Sequence, residues 1–374
     1  MSLCTLMATA DKYLRPTLNG ISPKFAVQVY SPGRKIFLKM LANESLDGRR
    51  AVPEKYRRTL WGIDFYSPLM NSAGMFKHGE GYETAFRQGA GAYLCGTSTD
   101  KPRLGNAKLG VKTPFISYPH SGASSNWMGL PNFGHADLAA KIQKIEKHLL
   151  CPIGVSLSPQ PDAESLEDSA AGVVRGLNIF DKTQADFAEI NESCPNVPHD
   201  VACGAKNAPD ANLVARLEII SREFLKKRNR NFPVIVKFSN DTDPMLVPQL
   251  LDCLVSLGFD GVNFGNTSTD YDKLRPLFEE RDLPALDYFI ENFGGGVSGK
   301  VLRHKSYELC YAALANLKNM NVPQEFRVVR TGGIAEYSDI EKSEHIGVDL
   351  NQWFTGYFEA FAQYGHDLYT QILK

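Results

Sequence analysis

Short apolar runs, often β-branched, recur along the chain, with longer amphipathic stretches between them. Eight stand out: PLMNSA (68–73), AYLCG (92–96), IGVSL (153–157), FAEIN (187–191), VIVKF (234–238), GVNFG (261–265), RVVRT (327–331) and LNQWF (350–354). Apolar runs of about four to eight residues mark strands buried on both faces. Between them, HADLAAKIQKIEKHL (135–149) and MLVPQLLDCLVSLG (245–258) carry helical periodicity. Strand and helix repeated eight times predicts an α/β fold, the (β/α)8 TIM barrel with a parallel inner sheet. A doubly wound open sheet is the structural rival, but no GxGxxG turn follows an early strand.

Two connections exceed a plain crossover. Residues 97–152 and 266–326 hold extra loops rich in Gly, Pro, Ser and Asn, and both follow the C-terminal end of a strand. Barrels assemble their active sites at that face, so the insertions read as functional. The predicted layout is an N-terminal helical extension over 1–58 and a barrel over 59–374. No internal repeat or low-complexity tract is present.

Composition narrows the class. A chain of 374 residues with 43% hydrophobic side chains can bury the core of a barrel. Its net charge of −1 gives no polyanion-binding signature, so nucleic acid is not an expected partner. That average hides an asymmetry: residues 1–58 hold 11 Lys/Arg against 4 Asp/Glu, leaving the remainder acidic. Seven cysteines without a CxxC pair read as reduced thiols of a cytoplasmic protein. Eight histidines without HxH or HExxH spacing predict no metal site. No apolar run reaches the roughly 18 residues of a bilayer span, and MSLCTLMATADKYL lacks the pattern of a secretory signal.

The residues at the strand ends form a consistent set. They are Ser72-Ala73-Gly74 with Lys77, Gly96-Thr97, Ser156, Asn191 with Cys194 and Asn196, Lys237, Asn266-Thr267, Gly332-Gly333 and Thr355. Small residues, amides, hydroxyls and two lysines at one barrel mouth make a polar, anion-tolerant pocket for a flat, heteroatom-rich ligand. RTGGIAEYSD and QWFTGYFE close the last two strands, where barrels commonly hold a phosphate on loop N–H groups and a helix start. FGGGVSGK (293–300) could add donors. Glycines that only make tight turns are the alternative, and the signal does not separate a cofactor phosphate from a substrate phosphate. Lys237 lies within an apolar strand and must meet a negative charge or an electron-rich ring, or else snorkel to solvent. Read functionally, it is a cation that stabilises a reduced, anionic flavin. Lys77 suits a carboxylate at the mouth, or is a solvated loop residue. Asn126, Asn191, Asn196 and Asn266 offer the donors and acceptors that match the rim of a pyrimidine ring, although a single such Asn is usually a turn residue.

Most cysteines are inert and buried, and six of the seven fit that class. Cys194, in AEINESCPNVP, sits between polar neighbours where Pro195 stiffens the turn. With an ordinary thiol pKa of roughly 8.5, modest tuning lets it accept a proton near neutrality.

These motifs together resemble the dihydroorotate dehydrogenases, FMN-binding (β/α)8 barrels of pyrimidine biosynthesis. The resemblance covers roughly residues 59–374 and is carried, in the family's order, by NSAGMFKHGE, GTSTDKPRLGN, NWMGLPN, INESCPNVP, VIVKFS, NTST, GGGVSG, RTGGI and QWFTG. It implies that Cys194 is the base removing a proton from C5 of dihydroorotate, with the C6 hydride passing to N5 of FMN to give orotate. It implies substrate contacts from Lys77, Asn126, Met128, Gly129, Leu130, Asn191, Asn196, Asn266 and Thr267. Ala73, Gly74, Thr97, Ser156, Asn191 and Lys237 fall on flavin positions. Gly299, Gly332, Gly333, Phe354 and Thr355 fall around the FMN ribityl-phosphate end.

The chain is a mosaic within that family. Soluble members resemble it in the cysteine of SCPNVP, whereas membrane-associated, quinone-reducing members resemble it in the motifs around Lys77 and in having an N-terminal extension. The soluble type often carries lysine where Gly96 stands, a role Lys77 is expected to assume. In GRKIFLKML (33–41), Ile36, Phe37, Met40 and Leu41 share one helical face near Arg34, Lys35 and Lys39. That is either a basic helix lying on a membrane surface and guiding a quinone or a plain cap on the barrel. Arg330 and Phe354 depart from the family's usual residues, and either could alter phosphate contacts. The resemblance leaves fumarate or a quinone as electron acceptor and allows a homodimer, in the cytoplasm or against the inner face of a membrane. A related FMN oxidoreductase acting on another dihydropyrimidine or enone, a flavin-free phosphate-binding isomerase or lyase, and a catalytically silent barrel are the rival readings.

Overall fold

In the computed structural model, which describes residues 2–192 and 209–374, all eight apolar runs form strands of one parallel sheet. They are β1 (Leu69–Asn71), β2 (Tyr93–Ser98), β3 (Ile153–Leu157), β4 (Phe187–Asn191), β5 (Val234–Phe238), β6 (Gly261–Phe264), β7 (Arg327–Thr331) and β8 (Leu350–Trp353). The strands run in sequence from β2 to β8, and β8 pairs with β1. The seam between β1 and β2 is closed by a side chain. Buried Asn71 donates to Leu94 O at 2.6 Å and accepts from Leu94 N at 3.3 Å, standing in for a backbone ladder. Just above it, Gly74 N donates to Gly96 O at 2.7 Å.

Each strand leads to an outer helix. In order these are Tyr82–Gln88, His135–Ile142, Leu166–Phe180, Ala211–Glu223, Val247–Leu257, Arg303–Leu317, Tyr337–Ile346 and Thr355–Tyr364. The third shows the local logic. Ser165 Oγ accepts from Asp168 N to cap its start, and Ala170, Val173, Leu177 and Phe180 bury one face at helical spacing. The stretch expected to be helical over 135–149 is shorter, ending at Ile142. There the Gln184 side chain donates to the carbonyls of Gln143 and Ile145, satisfying groups that a longer helix would have used internally.

Side chains alternate along a strand, so every second residue enters the barrel. Phe187, Ile235, Val329 and Leu350 form an apolar layer near the base with Trp61 and Phe65, which come from a hairpin of Arg58–Leu60 and Ile63–Phe65. Two residues further along the same strands the interior turns polar, with Glu189, Lys237, Thr331 and Gln352 buried at the next level. Burying each large apolar side chain contributes about 1.5–3 kcal/mol, so the base supplies stability while the upper level carries polar groups.

The two long insertions meet each other. Phe115–Tyr118 and Ala123–Asn126 from the first form an antiparallel sheet with Gly296–Gly299 from the second. Two helices of the extension, α1 (Leu3–Ile21) and α2 (Pro23–Ala42), pack on that sheet. Ala26 and Val27 share a core with Ile116, Tyr118 and Phe289, while Asn19 donates to Ser117 O at 2.6 Å. The expected face of α2 is rotated: Leu38 and Leu41 are buried, Phe37 and Met40 half-buried, and Ile36 is exposed. The cause is tertiary, since Phe37 packs edge-on against Phe358 and Phe361 of the helix Thr355–Tyr364. Leu3, Leu6, Leu14, Ile21 and Phe25 remain exposed on the two helices. Among the described residues, no helix is long and apolar enough to cross a membrane.

Candidate active site

The C-terminal ends of the strands open into a cavity enclosing about 920 Å³ of empty space, its mouth included. Ala73, Gly74, Lys77, Thr97, Asn191, Lys237, Asn266 and Thr267 line it from the strand ends, and Asn126, Met128 and Leu130 close it from the first insertion. Gly299, Gly332, Gly333, Phe354 and Thr355 line its far end. Sequence reasoning therefore brought most of its candidates to one place. Two lie behind the wall. Ser156 is buried beneath Thr97, their hydroxyls 2.9 Å apart, and Gly129 sits against Asn106, with its carbonyl 3.4 Å from Arg103 Nε. Cys194 and Asn196 lie outside the described residues.

At the mouth the amides order one another. Asn266 donates to Asn191 Oδ1 at 3.0 Å, and Thr267 N donates to Asn266 Oδ1 at 2.9 Å. Thr267 Oγ1 is buried in the cavity wall without a hydrogen-bond partner among the described residues, so a polar ligand there gains a contact that those residues leave open. Gly96 has φ +98, and a Cβ there would lie 2.4 Å from Ser156 O. No side chain fits at that position, and the mouth lysine comes from Lys77 instead.

The far end fits an anion. Gly332-Gly333 faces the N-terminus of Thr355–Tyr364, whose first N–H groups have no intrahelical acceptors. Gly333 has φ +77, and its missing Cβ would stand 2.3 Å from Arg303 Cα, so the loop holds this path only as glycine. Arg330 does not reach this end. It points outward, donating to Ser306 Oγ at 2.9 Å and Arg303 O at 2.7 Å, and Nη1 lies 3.1 Å from Asp339 O. Its role is to tie two outer helices together behind the Gly-Gly loop.

At the floor, Lys237 is 3% exposed and does not snorkel. Its Nζ lies 3.3 Å from Glu189 Oε1 and 3.0 Å from Gln352 Oε1. Sequence reasoning missed Glu189, Thr331, Gln352 and Ser298; the one local signal was an acid in an otherwise apolar strand, FAEIN.

A second cavity adjoins the first. It lies between α1, α2 and the insertion sheet, and Phe354 and Thr355 line both chambers. The shared wall is completed by a hydroxyl triangle, with Ser124, Ser298 and Thr355 oxygens 2.9–3.0 Å apart. Met7, Val29, Phe37, Phe115 and Phe358 make the second chamber largely apolar. Besides the hydroxyls of Ser117, Ser124 and Thr355, its polar groups are Tyr30, the paired Asp11 and Arg15, and Arg34. Burial pushes the Tyr30 phenol up, reinforced by Asp11. Among the described residues Arg34 Nε and Nη1 are shielded without partners and Nη2 lies 3.2 Å from the Met128 sulfur, and burial lowers the guanidinium to about 10.

Burial also holds the five described thiols protonated; those of Cys4, Cys151 and Cys310 are pushed up to about 12. None of the five suits proton abstraction near neutrality. Among the described residues no cluster of three or more His, Cys, Asp or Glu could hold a metal ion.

Over residues 56–368 the chain matches the family described as dihydroorotate dehydrogenase. It is similar to the dihydroorotate dehydrogenase (quinone) of Aeromonas hydrophila, 28% identical over 325 residues, spanning 87% of this chain and 88% of that one. The enzyme of the same name from Pseudoalteromonas translucida is 26% identical over 298 residues, 79% and 81% of the two chains. Ligand-free DHODH from Eimeria tenella matches in structure with a TM-score of 0.73 at 18% identity, over 91% of this chain and 92% of that one. The same protein in complex with ferulenol gives 0.71, over 91% and 89%. At that identity the structural likeness shows the barrel fold.

Proposed function

The chain belongs to the dihydroorotate dehydrogenase family, and from that premise we propose that it oxidises dihydroorotate to orotate on bound FMN and passes the electrons to a quinone. The observation that carries this reading is the pair of chambers sharing one wall at Phe354 and Thr355. One chamber is polar and suits a flat, anionic heterocycle; the other is largely apolar and suits a ring that dissolves in lipid.

The residues present fit the cofactor. Gly332, Gly333 and the start of Thr355–Tyr364 would hold its phosphate, Thr97 and Ala73 the ring edge, and Lys237 the electron-rich side of the ring. Bound FMN would supply the two-electron acceptor for the hydride leaving C6. The protein's own part is to orient and to move a proton. Lys77 meets the substrate carboxylate, while Asn126, Asn191, Asn196 and Asn266 fix the ring through its alternating donors and acceptors. Cys194 takes the proton from C5, general base work that the buried thiols are unsuited to. In the second chamber, Arg34 donates to a carbonyl oxygen of the quinone, matching a cation that meets no other strong acceptor among the described residues.

The test begins with the visible spectrum of the purified protein, which should show flavin bands. Anaerobic dihydroorotate should bleach them, and a short-chain quinone should restore them faster than fumarate or NAD. A colourless protein sinks the flavin reading and points to a phosphate-binding isomerase or lyase. Bleaching by a different dihydropyrimidine or enone, and not by dihydroorotate, reassigns the substrate.

A further inference from the structure

Glu189 is fully buried inside β4, directly beneath the cavity floor. Side chains from four other strands converge on it or on its partners. Lys237 Nζ lies 3.3 Å from Oε1, and Asn263 Nδ2 and Gln352 Nε2 each donate to Oε2 at 2.7 Å. Thr331 Oγ1 stands 2.9 and 3.1 Å from the amide oxygens of Asn263 and Gln352, fixing the orientation of both amides. Lys237, Thr331 and Gln352 line the cavity, whereas Glu189 is one step below. Among the described residues, Glu189 from β4 is the carboxylate paired with Lys237, and Lys77 lines the same cavity; Arg330 on β7 points away between outer helices.

We infer that Glu189 is a positioning residue that balances the charge of Lys237 and aims it at the cavity, and thereby sets how strongly the site favours negative charge on the ring bound above it. The inference rests on the FMN reading. The physical argument is short. A buried cation loses its hydration and needs an opposite charge close by to offset that cost and fix its position. The carboxylate supplies that charge from the side away from the ligand, so the cation stays available to the ring. Two amide donors occupy Oε2, and Thr331 holds those amides in place, which keeps Glu189 from competing for the ligand.

The test is Glu189→Gln, an isosteric change that keeps the packing and removes the charge. With FMN bound, the variant's oxidised–reduced equilibrium, measured by anaerobic redox titration, should move about tenfold towards the oxidised form at pH 8. In a Lys237→Gln background the same substitution should produce no further shift. If Glu189→Gln fails to fold, the neutral double variant Glu189→Gln/Lys237→Gln should restore folding, and its failure would overturn the pairing. FMN-loaded Glu189→Gln with the parental equilibrium overturns the inference, as does an undiminished effect without Lys237. A parent protein that binds no FMN overturns the functional reading instead.

Discussion

Replacing Arg34 with methionine should stabilise the fold while weakening electron delivery to the quinone. Burial lowers the guanidinium to about 10, and at ~1.36 kcal/mol per pH unit the desolvation behind that change is about 3 kcal/mol. What the folded chain returns is small: a thioether contact at 3.2 Å and a position 5.5 Å above the Phe115 ring, together worth about 1–2 kcal/mol. Methionine keeps much of the stem's packing, so the variant should gain about 1–2 kcal/mol, a rise in Tm of about 2–4 °C by differential scanning calorimetry. A charge-assisted hydrogen bond to the acceptor is worth about 1.5–3 kcal/mol, so kcat/KM for a short-chain quinone should fall about 10–100-fold. Anaerobic flavin bleaching by dihydroorotate should change by less than about threefold, because that half-reaction uses the other chamber. A variant that melts well below the parent, or one reoxidised by quinone at the parental rate, refutes the reasoning.

Gly333→Ala forces a Cβ to within 2.3 Å of Arg303 Cα at φ +77; at a cost of about 2–4 kcal/mol the loop should shift, and the purified protein should lose most of its flavin absorbance per chain. Cys194→Ala should slow flavin reduction by dihydroorotate about 100-fold or more, with quinone reoxidation of photoreduced enzyme intact; stopped-flow bleaching at the parental rate would remove Cys194 from the mechanism. His135 is packed between helices with Nδ1 2.8 Å from Ser98 Oγ, and burial lowers it to about 4. Its folded value is below the unfolded one, so the unfolded chain binds more protons between those values and stability falls as pH drops from about 6.5 towards 4. That should cost about 2 kcal/mol by pH 5. His135→Asn, whose amide can reach Ser98, should flatten the curve of Tm against pH across that window, and an unchanged curve contradicts the assignment.

Much of the barrel was visible locally. Each strand is buried on both faces, so its composition departs sharply from the amphipathic helices beside it, and all eight runs emerged. The active-site candidates were legible for a related reason: a barrel places the ends of all its strands at one face, so reading each end is reading one site. The exceptions are informative. Ser156 was placed at the mouth by its position near a strand end, but Thr97 from the neighbouring strand covers it. Gly129 sits within a matched motif, yet its backbone turns towards Asn106. Glu189 was passed over because nothing local distinguishes an acid facing a lysine from one facing solvent. Its partners come from positions 237, 263 and 352, far apart in the chain.

The extension marks the same boundary more sharply. Its basic charge and helical periodicity were readable, and Phe37 of the expected face packs against Phe358 and Phe361, but the covered side is shifted to include Leu38 and leave Ile36 exposed. The amino-acid order alone determined the strands, the helices and the set of groups presented at the barrel mouth, since periodicity and strand-end chemistry are properties of neighbouring residues. The tertiary structure alone decided that Lys237 is balanced by Glu189, that the Arg34 guanidinium is shielded with no carboxylate partner among the described residues, and that two chambers share Phe354 and Thr355. Those facts arise from contacts between distant segments, where burial turns an ordinary charge into a strong constraint and no local pattern records it.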